Sequence, residues 1–206
     1  MKTVIITMPM KKEVYSFRYP VQGNSDIEYD GELMFGVNGV LARVTKPNEK
    51  VKLLFIVVRG GADQGIENTK LFRQELDRLT DGKNLHITEE LIELEHTPTK
   101  GEFEKLTSCL IDLIDEKAEI LADITFGNKP FPLILLCAIN FAEQFKGAAL
   151  LYLMYSSVEW PGGGQPPRNP MIYDITSAYY LQKIIGAMEG QNPDIARKML
   201  CDFFVL

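Results

Sequence analysis

The chain has 206 residues, 46% of them hydrophobic and 24% charged, with a formal net charge of −6. That length suits one large domain, or one domain with a small appendage, and the apolar fraction supplies a sizeable core. The acidic balance excludes a broad basic surface for long nucleic acid and leaves room for a small anion in one local pocket.

Residues 3–7 (TVIIT) have the character of a first central strand, and 8–12 follow as a loop. From Tyr15 the aromatics Tyr15, Phe17 and Tyr19 alternate over 14–21, which reads as an edge strand or an extended arm limited by Pro20. Residues 22–31 are polar loop. A helix is predicted over 33–44, with Leu33, Val37, Val40, Leu41 and Val44 on one face and Gly36 and Gly39 weakening it. Residues 51–58 (VKLLFIVV) read as a strand buried on both faces of a parallel sheet, ended by Gly60-Gly61. The next helix, about 64–79, carries Phe72, Leu76 and Leu79 at helical spacing. Residues 85–94 are strand-like but hold three glutamates, which places them near a sheet edge.

Thr99 and Glu102 have the spacing of a capping box. They open a helix whose Phe103, Leu106, Leu110, Leu113 and Ile114 make one apolar stripe. Residues 120–124 are another buried strand, 125–129 a polar turn, and a helix follows from Pro130. Residues 148–155 (AALLYLMY) repeat the buried-strand pattern. The segment 159–170, with Trp160, three consecutive glycines and four prolines, reads as a long surface loop without regular structure. A short strand is expected over 171–175 and a helix over 177–188. Asn192-Pro193 opens a last helix with Ala196, Met199, Leu200, Phe203 and Phe204 on one side.

Strands alternating with helices predict a doubly wound, mostly parallel Rossmann-like α/β sheet with helices on both faces. Ligands of such sheets bind at the carboxyl ends of the strands. The loops after Thr7, Val58 and Ile124 then share one rim. Cys109, Cys137 and Cys201 are odd in number, lie in apolar stretches and lack CxxC spacing. Buried free thiols in a reducing compartment are expected. With no basic, apolar leader, and a longest apolar run (131–141) far below the roughly 20 residues that span a bilayer, a cytoplasmic protein without membrane contact is expected.

The turn at 125–129 concentrates the chemistry. Asp123 and Thr125 stand at the end of a strand, Gly127 allows close backbone approach, and Pro130 fits a helix start. Free N–H groups and the positive end of the helix dipole converge there, and Lys129 adds a charge, which favours an anion. The same residues also suit a plain connection. Asp123 reads as a base or metal ligand, or as an anchor for loop N–H groups. Lys11 and Lys12 either meet phosphates from the first loop or are solvated. The glycine fingerprints of a P-loop and of a dinucleotide turn are missing, so no NAD or FAD is expected. His86 and His96 lack ligand spacing, so no metal is expected either. No GxSxG or Ser–His–Asp grouping is visible. The helix over 131–145 is apolar nearly all round, which means full burial or a face for a second copy.

Asp123-Ile124-Thr125-Phe126-Gly127-Asn128-Lys129-Pro130, followed by an apolar helix, resembles the D-[IL]-T-x-G-x-[RK] signature of CRISPR-associated Rossmann-fold (CARF) domains. The run from Met34 through Leu41, leading into Lys50 through Leu54, is similar to the helix and second strand of that family, and Tyr173-Asp174-Ile175-Thr176 resembles its closing strand. The resemblance implies a two-fold homodimer that binds a cyclic oligoadenylate, the second messenger of type III CRISPR systems, with tetra-adenylate favoured. By position, the ligand-binding residues would be Thr7, Met8, Pro9 and Lys11 in the first loop and Thr125, Phe126, Gly127, Asn128 and Lys129 in the second, with Asn38 from the first helix. Phe126-Gly127-Asn128-Lys129 departs from relatives that carry histidine or arginine there. The implied layout is a ligand-binding domain over 1–190 and a C-terminal helix over 191–206 that leads to an effector. Three functions stay open at this point: a sensor that switches an effector, a stand-alone ring nuclease, and an α/β domain for another nucleotide or partner. The nuclease would cut the ring by metal-independent attack of a ribose 2′-OH, with Lys129, Thr7 and Thr125 as the catalytic set. No cofactor is implied.

Overall fold

The computed structural model describes residues 1–59, 64–162 and 165–204, without the side chains of Phe203 and Phe204. The expected strand end at Gly60-Gly61, the glycines Gly163 and Gly164, and the expected apolar side of the last helix at Phe203 and Phe204 lie outside the described set. The chain divides into two compact units, Met1–Ile175 and Thr176–Leu206.

In chain order the first unit contains β1 (Lys2–Thr7), β2 (Phe17–Arg18), β3 (Val21–Gln22), β4 (Glu32–Leu33), α1 (Gly36–Val44), β5 (Lys50–Val58), α2 (Gln64–Leu79) and β6 (His86–Leu94). It continues with α3 (Lys100–Leu113), β7 (Glu119–Asp123), α4 (Phe131–Phe145), β8 (Ala149–Glu159) and β9 (Arg168–Asp174). Seven strands form one sheet in the order β3-β9-β8-β7-β1-β5-β6, while β2 and β4 pair separately. All neighbours in the large sheet are parallel except β8 and β9. The mostly parallel, Rossmann-like α/β sheet is therefore present.

Every residue of β1 is buried, as a strand covered on both faces requires. Val4 and Ile6 of β1 join Leu53 and Phe55 of β5, Val37 and Leu41 of α1, and Phe72 and Leu76 of α2 in one cluster. Ile5, Leu54 and Ile56 are equally buried and alternate to the opposite face. Helices α1 and α2 pack on each other, as do α3 and α4, giving the two helical layers.

From β1 the chain adds β5 and β6 on one side, then returns to lay β7, β8 and β9 on the other. The carboxyl ends of β1 and β7 meet at that reversal, where Ile6 is the register partner of Asp123. An α/β sheet opens a crevice at this kind of point.

Several expectations change in detail. The first helix begins at Gly36 rather than Leu33, because Glu32 and Leu33 pair with the arm as β4. Its glycines are close-approach positions: a Cβ on Gly36 would lie 2.7 Å from Ile172 Cδ1, and one on Gly39 2.4 Å from Leu33 Cδ1. The arm over 14–21 is mostly extended chain, with only the two-residue strands β2 and β3. The segment 159–170 is not all loop, since β8 runs to Glu159 and pairs there with Arg168 of β9. The register slips between Ser157 and Glu159, and that slip accommodates Pro170, which has no N–H for a ladder. The thiols are not all buried: Cys137 on α4 and Cys201 near the C-terminus are exposed. The expected capping box is present, with Glu102 N donating to Thr99 Oγ1 and Thr99 N to Glu102 Oε2.

The second unit holds α5 (Thr176–Ala187) and α6 (Pro193–Phe204), joined by a turn in which Gly190 has φ +83°. Among the described residues no helix is long and apolar enough to cross a membrane.

Candidate functional site

A pocket of about 310 Å³ opens at the β1–β7 reversal, lined by the end of β1, the loop after it, the aromatic arm, the turn after β7 and the end of β8. The loop after β1 is held from behind. Met8 N donates to Ile56 O at 2.8 Å, and the Met8 side chain is buried in the core. Fully buried Asn68 of α2 donates from Nδ2 to Pro9 O at 2.7 Å and to Lys11 O at 3.1 Å. Gln64 Nε2 donates to its Oδ1 at 3.2 Å. One amide side chain therefore sets the path of the loop that carries Pro9 and Lys11 into the pocket wall.

The turn after β7 is tied to itself. Asp123 Oδ1 accepts from Thr125 N at 2.9 Å and from the Thr125 hydroxyl. The same hydroxyl oxygen accepts from Ser156 N at 2.7 Å, stitching the turn to β8. Burial pushes the Asp123 carboxyl up to about 6, and the Thr125 hydroxyl and amide only partly oppose it. Gly127 has φ +106°, and a Cβ there would stand 3.2 Å from Thr7 Cγ2, so glycine is needed for both conformation and space. Asn128 Nδ2 donates to His96 O at 3.3 Å.

Aromatic rings close the opposite wall. Tyr15 and Phe17 have centroids 6.3 Å apart, Phe17 meets Tyr19 edge-on at 5.8 Å, and Tyr15 meets Trp160 edge-on at 5.9 Å. Burial, reinforced by Glu75 and Asp123, pushes the Tyr19 phenol up to about 12, so it stays a neutral donor. Lys11 Nζ sits 3.6 Å from the centre of the Trp160 ring. Thr7 is 2% exposed, and its Oγ1 finds no hydrogen-bond partner among the described residues. That hydroxyl is an enclosed polar group behind the pocket wall, the kind of unpaired buried atom that is rare in folded proteins.

No protein-family model and no curated protein matches this chain.

Of the residues singled out in sequence, Thr7, Pro9, Lys11, Thr125 and Phe126 line the pocket together. Gly127 lies against Thr7 from the turn. Asn128 and exposed Lys129 stand on the same turn outside the lining, and Lys12 is exposed outside it as well. Met8 is outside the lining, its side chain being core and its N–H bonded to Ile56 O. Asn38 does not reach the pocket: it is fully buried and donates from Nδ2 to Phe72 O and Glu75 Oε2, both at 3.0 Å. Sequence reasoning missed Tyr15, Tyr19, Tyr155 and Trp160 as pocket residues. The alternating aromatics of the arm carried a signal, since three large rings at every second position of an extended segment need something to cover. Trp160 gave none. Among the described residues no group of three His, Cys, Asp or Glu gathers to hold a metal ion.

Proposed function

We propose that this protein binds a cyclic oligoadenylate at the rim pocket and acts as the sensor module of a type III CRISPR signalling protein of the CARF kind. One observation carries the reading: Thr7, Pro9 and Lys11 share a single pocket with Thr125 and Phe126, more than a hundred residues later in the chain. The pocket lies at the strand reversal where α/β sheets take nucleotides. It combines a cation with aromatic faces, which suit phosphate and base respectively.

A two-fold homodimer would let a symmetric ring use each contact twice. Helix α4 supports that pairing, because Leu133, Phe141 and Phe145 are exposed along one side of it with Cys137 between them. Sensing is favoured over ring cleavage. The Thr125 hydroxyl is already shared between Asp123 and Ser156, and Lys129 lies outside the pocket lining.

Calorimetry with cyclic tri-, tetra- and hexa-adenylate, followed by chromatography of the ligand, tests the reading. Binding of one ring that is recovered intact is expected, with Lys11→Ala weakening it. Conversion to linear adenylates would make the protein a ring nuclease. No heat with any ring would end the messenger reading.

A further inference from the structure

We propose that Trp160 is a nucleobase platform whose ring face is covered by Lys11 in the free protein. A bound nucleotide exchanges the two contacts, its phosphate taking Lys11 and its purine taking the indole. The inference rests on the rim pocket being the ligand site and names the residues that grip one base there.

Trp160 is 53% exposed, an uncommon setting for the largest apolar side chain. Its face is met by the Lys11 ammonium at 3.6 Å, and among the described residues Lys11 makes no ion pair. An indole is the best aromatic acceptor for a cation, but at an exposed site the attraction is weak. A phosphate oxygen offers the same ammonium a charge-assisted hydrogen bond, which is stronger. Transfer of Lys11 from ring to phosphate is therefore favourable, and it uncovers a flat π surface.

That surface has a side wall. The Tyr15 ring stands at 69° to the indole with centroids 5.9 Å apart, and its hydroxyl donates to Glu13 at 2.8 Å. A base lying on Trp160 thus meets Tyr15 edge-on, a preferred aromatic geometry. Size agrees. At about 310 Å³ the pocket is at the small end of the roughly 300–1,000 Å³ range of ligand sites, which fits one nucleotide unit rather than an entire ring. The bland rival is a surface lysine that merely shields an exposed indole.

Trp160 is the only tryptophan in the chain, so intrinsic fluorescence reads this ring alone. The full chain is titrated with cyclic tri-, tetra- and hexa-adenylate in parallel fluorescence and calorimetry. Saturable quenching is expected at the calorimetric midpoint. Trp160→Ala should weaken binding about ten- to a hundredfold, and Trp160→Phe should restore most of it. Lys11→Met should weaken binding yet leave the quenching at saturation intact. Calorimetric binding with unchanged emission, or wild-type affinity in Trp160→Ala, would overturn the platform and leave the reading of the site standing. No heat with any ring would overturn both.

Discussion

The two walls of the rim pocket are made of opposite materials. On the β7 side, the polar groups of the turn are largely spent on its own shape: Asp123 holds Thr125, Thr125 holds Ser156 N, and Asn128 reaches His96 O. Facing it, the loop after β1, the arm and Trp160 just past β8 offer an ammonium parked on a ring and a row of aromatic faces. The turn works as a rigid template, and the arm supplies contact surface. A motif that looks like ligand chemistry in sequence can be structural chemistry in space, with adjustable contacts recruited from less conspicuous segments.

The sharpest way to test this division is to remove the carboxylate on which the turn closes. Burial holds the Asp123 carboxyl near 6 against an ordinary 3.8. The folded protein then binds the proton more tightly than the unfolded chain. Its contribution is full below about pH 4 and is lost as pH rises through about 6. Asp123→Asn abolishes that slope, so between pH 4 and pH 7 the variant should gain about 2.4 kcal/mol of unfolding free energy relative to the parent. Urea titrations at both pH values check it, and parallel pH trends would refute the burial account.

Next in size is the latch behind the other wall. Asn68→Ala leaves Pro9 O and Lys11 O without their donor and should cost about 2 kcal/mol in urea unfolding. It should also speed exchange of the Met8 amide, which donates to Ile56 O, while the Thr125 amide stays protected. Gly127→Ala is the converse perturbation, forcing a side chain into positive φ beside Thr7, and should cost about 1–2 kcal/mol. Unchanged thermal stability there would mean that the turn is softer than its hydrogen bonds imply. Smallest on stability, Trp160→Ala should shift the unfolding free energy by no more than about 0.5 kcal/mol, because the ring is exposed. A larger loss in urea titration would make Trp160 a structural rather than a contact residue.

Much of the fold was legible in the chain because its signals are local. Mostly apolar runs marked β5 and β7, the Thr99–Glu102 spacing marked the start of α3, and the glutamates of β6 marked a sheet edge. What stayed hidden depends on partners distant in sequence. Gly36 and Gly39 read as helix weakeners until Ile172 and Leu33 occupy the space their missing side chains leave. The Pro- and Gly-rich segment read as loop because the pairing of Glu159 with Arg168 is set by the sheet, not by propensity. At the site, the rim rule put the loops after Thr7 and Ile124 side by side, and Thr7, Pro9, Lys11, Thr125 and Phe126 do line one pocket. Asn38, a candidate only through the family resemblance, is drawn into the core by Phe72 O and Glu75.

The antiparallel pairing of β8 with β9 has a consequence for how such a protein diversifies. The chain leaves the sheet at Glu159 and returns beside it at Arg168, so this pairing closes a ribbon end. Lengthening the chain between the two changes little but closure entropy, about 0.6 kcal/mol for each doubling. Insertions and deletions next to Trp160 can thus reshape the entrance while the parallel strands keep their alignment, leaving recognition free to drift on a scaffold that does not.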